Sequence, residues 1–248
     1  VYPRHRSTTR PASQRNAAFF RRVSFCEQLF HTHAELYTAL YEREKHEALL
    51  RRYLAETEKR GIRVILYMNC HILNPSQENR AAEWAIVDET GAYTRCYNTY
   101  LMNCMNSTWM EFFCGCLEDL KPFPIAGIFF DGPVLRACHC PHCRRAFERK
   151  HGKALADATP DERDAFVMRT YLDGKRRLYR TVKAVNPDWV AYFNEDLQHR
   201  SLEEIREGLA CNDLVGTEGG FQFYCPPREA LIWRCGLQAR ILEAVAEG

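Results

Sequence analysis

Three short runs constrain what this chain can fold into: "IRVILYMN" (62–69), "IAGIFFDG" (125–132) and "WVAYFNED" (189–196). Each is apolar through most of its length, and each has Asn, Asp or Glu within its last two residues. A strand covered on both faces reads this way. Between the runs lie stretches of helical periodicity. Residues 33–60 are rich in Ala, Glu, Leu, Lys and Arg. There Leu36, Leu40, Leu50 and Leu54 fall near helical spacing, and Gly61 is a stop. Residues 107–120 read as a helix opened by Ser107, and 144–151 as a short helix stopped by Gly152. Thr159-Pro160-Asp161-Glu162 combines a capping box with Pro at the first helical position. Val167, Tyr171, Leu178, Val182 and Val185 then mark one apolar face, which Asn186-Pro187 ends. Helices are also expected over 201–209 and 227–247, a weak strand over 83–91 and a fourth firm strand over 213–220 ("DLVGTEGG").

Strands alternating with helices imply an α/β fold with a parallel sheet. All strand C-terminal ends then lie on one face, where active sites of such folds sit. No Gly-rich phosphate loop follows the first strand, so a (β/α)8 barrel of the TIM type is preferred over a doubly wound sheet. Four firm strands and one weak one fall short of eight. Either the unpatterned N-terminal region hides further strands, or the barrel is partial. The expected division is an irregular segment over 1–30 and a single barrel-type domain over 31–248.

The totals exclude some functions. The 248 residues are 46% hydrophobic and 27% charged, the balance of a soluble globular protein. A net charge of +2 makes no case for nucleic acid. The arginines that bunch near the start (Arg4, Arg6, Arg10, Arg15, Arg21, Arg22) read as a solvated tail. No apolar run reaches the roughly 18 residues of a membrane span, and no signal peptide is visible. The expectation is a cytoplasmic protein without a membrane partner.

Twelve cysteines are many for such a chain, and three of them, Cys138, Cys140 and Cys143, fall within six residues. That spacing suits metal ligation better than a disulfide framework. Three thiolates can gather around one ion at about 2.3 Å each, and a closed structural site wants a fourth ligand. His139 and His142 are awkwardly close in the chain. Cys104 and Cys96 are better placed, whereas Cys114 and Cys116 lie inside the 107–120 helix. A structural zinc is expected, with an iron–sulfur cluster as the second reading. Four sulfur ligands would leave no position for a catalytic water. A zinc module for nucleic acid is disfavoured, since no second ligand pair stands at zinc-finger spacing.

The segment "ACHCPHCRRAFERKHG" (137–152) resembles the cysteine segment of family 42 glycoside hydrolases, the zinc-containing β-galactosidases. It resembles still more the related hypothetical glycosyl hydrolases, whose strand is similar to "GIFFDGP". The resemblance implies a further cysteine ligand upstream, within "NCMNSTWMEFF" (103–113), which selects Cys104 and leaves Cys96 in reserve. "FFDG" also resembles the segment that carries the nucleophilic Asp of α-L-fucosidases, which implies that role for Asp131. Where family 42 enzymes place an Asn-Glu pair, this chain has Asp131-Gly132.

Glycoside hydrolysis needs two carboxyl groups beside the scissile bond. Asp131 is the first candidate, at the end of an apolar run and before the turn-forming Gly132-Pro133. Glu218 is the second, set among glycines that leave room for a ligand. Glu195, beside Asp196, is the third. Asp88 and Glu89 read as a turn. Tyr67, Asn69, His71, Trp84, Tyr192, Asn194 and Phe221, with Tyr224, are candidates for holding a sugar. His31 and His33 point apart at helical spacing. The expected function is a carbohydrate-directed, two-carboxylate glycosidase with a structural zinc beside its active-site loop. The alternative is a non-catalytic, zinc-stabilised barrel relic that binds carbohydrate or is purely structural. A partial barrel would expose sheet edges, so a homo-oligomer is a further expectation.

Overall fold

The structure, a computed structural model, describes residues 27–28, 43–73, 75–194, 201–216 and 234–247. It is an α/β fold around a parallel sheet. In chain order the elements are β1 (Glu27–Gln28), α1 (Arg43–Glu58), β2 (Val64–Asn69), a 3-10 turn (Pro75–Arg80) and α2 (Ala81–Trp84). They continue with β3 (Arg95–Cys96), β4 (Tyr100–Leu101), α3 (Trp109–Glu118), β5 (Gly127–Asp131) and α4 (Pro141–His151). After a second 3-10 turn (Leu155–Asp157) come α5 (Pro160–Val185), β6 (Val190–Phe193), α6 (Leu202–Leu209) and α7 (Arg234–Glu247).

The sheet runs β1-β2-β5-β6, with every neighbouring pair parallel. Glu27 and Gln28 pair with Val64 and Ile65. Thus a strand does lie in the unpatterned N-terminal region, too short to leave a period in the sequence. Beyond β6, Asp213 N–H donates to the Ala191 carbonyl at 2.8 Å and Asn194 bridges Gly216 in parallel. That is where the fourth firm strand was expected; residues 217–220 lie outside the described residues. Four parallel strands and this bridge are seen among the described residues, and they form no closed barrel.

Alternate strand residues split between two environments, as the period of two requires. Leu66, Met68, Ile128, Phe130, Ala191 and Phe193 belong to the main core with Leu50 and Leu54 of α1, Trp109, Phe113 and Leu117 of α3, and Leu178 and Val182 of α5. Stacked rings run through this layer, with Trp109 to Phe113 at 4.7 Å and Phe130 to Phe193 at 4.6 Å between centroids. The opposite face carries Tyr67, Phe129 and Tyr192, each half-buried. Tyr67 meets Phe129 edge-on at 5.6 Å, and Phe129 stacks on Tyr192 at 4.8 Å.

α5 is the longest helix among the described residues, and its start follows the sequence signal. Thr159 and Glu162 form the reciprocal capping box. Ser201 and Glu204 form a second one at α6. α4 starts at Pro141, earlier than the expected residue 144, because Cys140 is extended and Pro141 suits the first helical position. Thr108, not Ser107, takes the N-cap position of α3. The expected strand over 83–91 is not one. Trp84 closes α2, and Ala85 and Val87 make only isolated bridges, to Asn103 and Tyr93.

Gly127 sets the spacing of β5 against β6. A Cβ there would fall 2.0 Å from the Val190 carbonyl oxygen. Backbone cannot yield as a flexible side chain can, so Gly127→Ala is expected to destabilise the chain by about 3 kcal/mol. Denaturant unfolding with an unchanged midpoint would contradict this.

A second, smaller core lies beside the sheet. It gathers Ile86, Met102, Phe147, Leu155 and Phe166 around four cysteines. Ile72 bridges Met102 and Ala85 bridges Asn103, so this layer is tied to the corner that follows β2.

Candidate active site and metal centre

Parallel register places Asn69 directly beside Asp131. Asn194 follows Phe193, which pairs with Phe130, and its N–H donates to the Phe130 carbonyl at 2.9 Å. Three adjacent strands thus end in a row, Asn69, Asp131 and Asn194. By the alternation of the strands this row shares its face with Tyr67, Phe129 and Tyr192. Asn69 Nδ2 donates to Asp131 Oδ2 at 3.4 Å and Asn194 Nδ2 to Oδ1 at 3.3 Å. The Tyr67 hydroxyl donates to Oδ2. Burial, and then the negative charge of Asp131, push the Tyr67 phenol far above its ordinary range. It therefore remains a donor at any physiological pH.

The backbone of Asp131 is held as firmly. Its carbonyl accepts from Cys70 N–H at 3.0 Å and from Cys70 Sγ at 3.3 Å. His71 Nδ1 lies 2.9 Å from the same oxygen. A carbonyl can only accept, so this contact places a proton on Nδ1. Asn69 Oδ1 accepts from the N–H groups of His71 and Ile72, each at 3.0 Å, which turns the chain sharply after β2. Gly132 lets the His71 ring approach. Its φ is +96°, and a Cβ there would sit 2.9 Å from His71 Cβ and 3.0 Å from Nδ1. A side chain at 132 would face both backbone strain and a collision.

The other candidates take different places. Trp84 does not face this row. It is buried in the helix-side core, stacked on Phe112 at 5.0 Å, with its indole N–H on Thr108 Oγ1 at 3.0 Å. A tryptophan so packed offers no open ring to a sugar. Tyr192 lies one pleat below Asn194 in the aromatic layer. Asp88 closes a surface turn, accepting from Thr90 N–H and Ala92 N–H at 2.9 Å each. Glu195, Asp196, Glu218, Phe221, Tyr224, His31 and His33 lie outside the described residues.

Cys104, Cys138, Cys140 and Cys143 are all buried, and their sulfur atoms lie within 4.8 Å of one another. Four sulfurs at 2.3 Å from a central ion would stand about 3.8 Å apart in a tetrahedron. Cys104 and Cys143 are 3.4 Å apart, and Cys140 and Cys104 3.6 Å. The quartet could therefore bind one metal ion. The contact with Cys104 holds the Cys140 thiol far below the usual thiol range, while contact with Cys138 pushes Cys104 well above it. Asn106 Nδ2 adds a donor to Cys143 Sγ at 3.3 Å. Cys96 sits half-buried on β3, outside the quartet, as do the buried Cys114 and Cys116 of α3. His142 turns to Arg145, 3.3 Å away.

No family profile and no curated protein matches the chain. Solved structures do. The α-L-fucosidase isoenzyme 2 from Paenibacillus thiaminolyticus is 18% identical with a TM-score of 0.56, over 66% of this chain and 24% of that one. The β-galactosidase from the psychrophilic Marinomonas ef1 is 12% identical with a TM-score of 0.65, over 88% and 40%. The β-galactosidase from Bacillus circulans sp. alkalophilus is 11% identical with a TM-score of 0.64, over 96% and 41%. The fold is glycosidase-like. The chain spans from about a quarter to about two fifths of the length of these structures. No helix among the described residues is long and apolar enough to cross a membrane.

Two residues that sequence reasoning passed over matter here. Lys175 of α5 is wholly buried, with its ammonium 4.8 Å from the Phe193 ring centre. Its signal was present, since it stands four residues after Tyr171 and three before Leu178 on the apolar face. Asn103 is the other, a buried amide next to Cys104 in the chain.

Proposed function

We propose that this chain acts on carbohydrate as a glycoside hydrolase, or as part of one, by a two-carboxylate mechanism. The observation that carries the reading is Asp131, at the C-terminal end of a central parallel strand, with amide donors from both neighbouring strand ends. Such a carboxylate is oriented and placed where parallel α/β folds do chemistry. In the proposed reaction Asp131 attacks the anomeric carbon, and the leaving oxygen takes a proton from a second carboxyl group. Glu218 is the proposed acid/base, with Glu195 as the other candidate. Asn69, Asn194, Tyr67 and His71 hold Asp131 or the sugar beside it. The glycosidase-like fold supports this reading, and with it a (β/α)8 barrel of which β1, β2, β5 and β6 are four strands, in a single domain over 31–248 that β1 extends back to residue 27.

The proposed ion is zinc, held by the four thiolates. Zinc with four sulfur ligands supplies a crosslink and no reactive water. The quartet then fastens the loop after β5 to the corner before α3.

A second reading, a carbohydrate-binding protein without turnover, has one observation in its favour. Three donors already occupy the Asp131 carboxylate, which suits a structural hub as well as a nucleophile.

Mechanism-based labelling separates the two readings. A panel of 2-deoxy-2-fluoro glycosides with good leaving groups should trap a covalent sugar on the chain, and peptide mapping should place it on Asp131. A label on another carboxylate would overturn the assignment of the nucleophile. No label, with sugar binding retained, would favour the second reading.

A further inference from the structure

Asn103 stands next to Cys104 in the chain yet spends its hydrogen bonds on the opposite side. Its N–H donates to the His71 carbonyl at 3.2 Å, and its Nδ2 to the Cys70 carbonyl at 3.0 Å. Cys70 and His71 are the residues that hold the Asp131 carbonyl from their own N–H, thiol and ring. Cys104 is itself pinned, with its N–H on Trp84 O at 2.7 Å and its carbonyl taking Ser107 Oγ at 2.6 Å. The path from the quartet to Asp131 therefore runs from Cys104 to its neighbour Asn103, across to Cys70 and His71, and on to the Asp131 carbonyl.

Two further observations single out Asn103. Its Oδ1 is buried with no hydrogen-bond partner among the described residues. Burying an amide with half its capacity unmet is unfavourable, so stability alone does not account for an asparagine here; its donor does. In addition, Asn103, Cys70, His71, Cys138 and Cys143 line one cavity of about 30 Å³. The quartet and the Asp131 corner are thus walls of the same small space.

We infer that Asn103 is a positioning residue that couples metal binding at the quartet to the placement of Asp131. An ion on Cys104 stiffens the chain at 103–104, and Asn103 passes that order to Cys70 and His71. The consequence for turnover rests on the reading of Asp131 as the reacting carboxylate; the coupling itself does not.

Amide hydrogen exchange tests it without any substrate. In the wild-type chain, removing zinc with a chelator should speed exchange at Cys70 and His71 by about tenfold, while Ile128 and Phe130 in β5 stay protected. In Asn103→Ala, zinc content measured by elemental analysis should match wild type. Exchange at Cys70, whose carbonyl loses the Asn103 amide, should already be fast and should no longer respond to the chelator, while His71 keeps the backbone N–H of residue 103 and should keep most of its response. Asn103→Ser, which keeps a shorter donor, should fall between the two. Equal protection in zinc-bound Asn103→Ala and wild type would overturn the inference. So would a wild-type response to zinc removal that is absent, or uniform across all amides. Hydrolysis that survives Asp131→Asn would remove the catalytic reading and leave the exchange result standing.

Discussion

Asp131→Asn is expected to lower turnover of an aryl glycoside by roughly four orders of magnitude, the scale on which removal of a nucleophile acts. The fold and the metal content should not change. Asparagine keeps the size and one acceptor oxygen of aspartate, which Asn69 Nδ2 and the Tyr67 hydroxyl can still share, while Asn194 can turn its own amide oxygen to the new N–H. What is lost is the second acceptor oxygen and the charge. Circular dichroism and elemental analysis would check the first part, and steady-state kinetics the second. Azide offers a finer check with Asp131→Gly, because a small anion can occupy the vacated space and attack in place of the carboxylate. A glycosyl azide of anomeric configuration opposite to the substrate would mark a nucleophile, because azide in place of a missing acid/base attacks the glycosyl-enzyme and gives the retained configuration. Undiminished hydrolysis by Asp131→Asn would sink the assignment.

The second large effect is expected at the quartet. Cys104→Ser should reduce metal from one ion per chain to near zero. Structural zinc sites with thiolate ligands carry about 10–16 kcal/mol of apparent binding free energy at neutral pH, comparable with the whole stability of an ordinary domain. The layer around Ile86, Met102, Phe147 and Phe166 has few apolar residues of its own and surrounds the four thiols. It should open first, seen as a lower thermal midpoint and rapid proteolysis between residues 85 and 166. Cys96→Ser should leave metal content intact, because Cys96 stands outside the quartet. Full metal loading in Cys104→Ser would refute the ligand assignment.

How far the sequence could be read depended on the range of the forces involved. Strands β2, β5 and β6 were legible because burial on both faces leaves an unbroken apolar run. The start of α5 was legible because a capping box is complete within four residues. The three clustered cysteines declared themselves by spacing, but the fourth could be chosen only by resemblance. Cys104 reaches them through pairings such as Ile72 with Met102 and Ala85 with Asn103, which no local pattern encodes. The same limit explains Trp84. A tryptophan beside acids suggests a sugar platform, yet the packing of α2 on α3 places it in the core against Phe112. β1 is two residues long and had no period to show. Tyr67, Asn69 and Asn194 could be named as neighbours of the acid. That all three donate to one carboxylate follows from strand register, a property of the sheet and not of any one run.

That register has a bearing on fidelity of assembly. The donors of Asp131 come from strands that meet only through sheet pairing, Asn69 opposite Asp131 and Phe193 opposite Phe130. A slip of one residue between β2 and β5 would exchange the two faces of the strand and bring Met68 to the carboxylate. A slip of two would keep the faces but set Tyr67 where Asn69 belongs. Either misalignment would strip the acid of the Asn69 amide and leave the carboxylate short of a donor. The carboxylate therefore penalises misassembled sheets, and the residue proposed for chemistry also acts as an alignment mark for the chain that carries it.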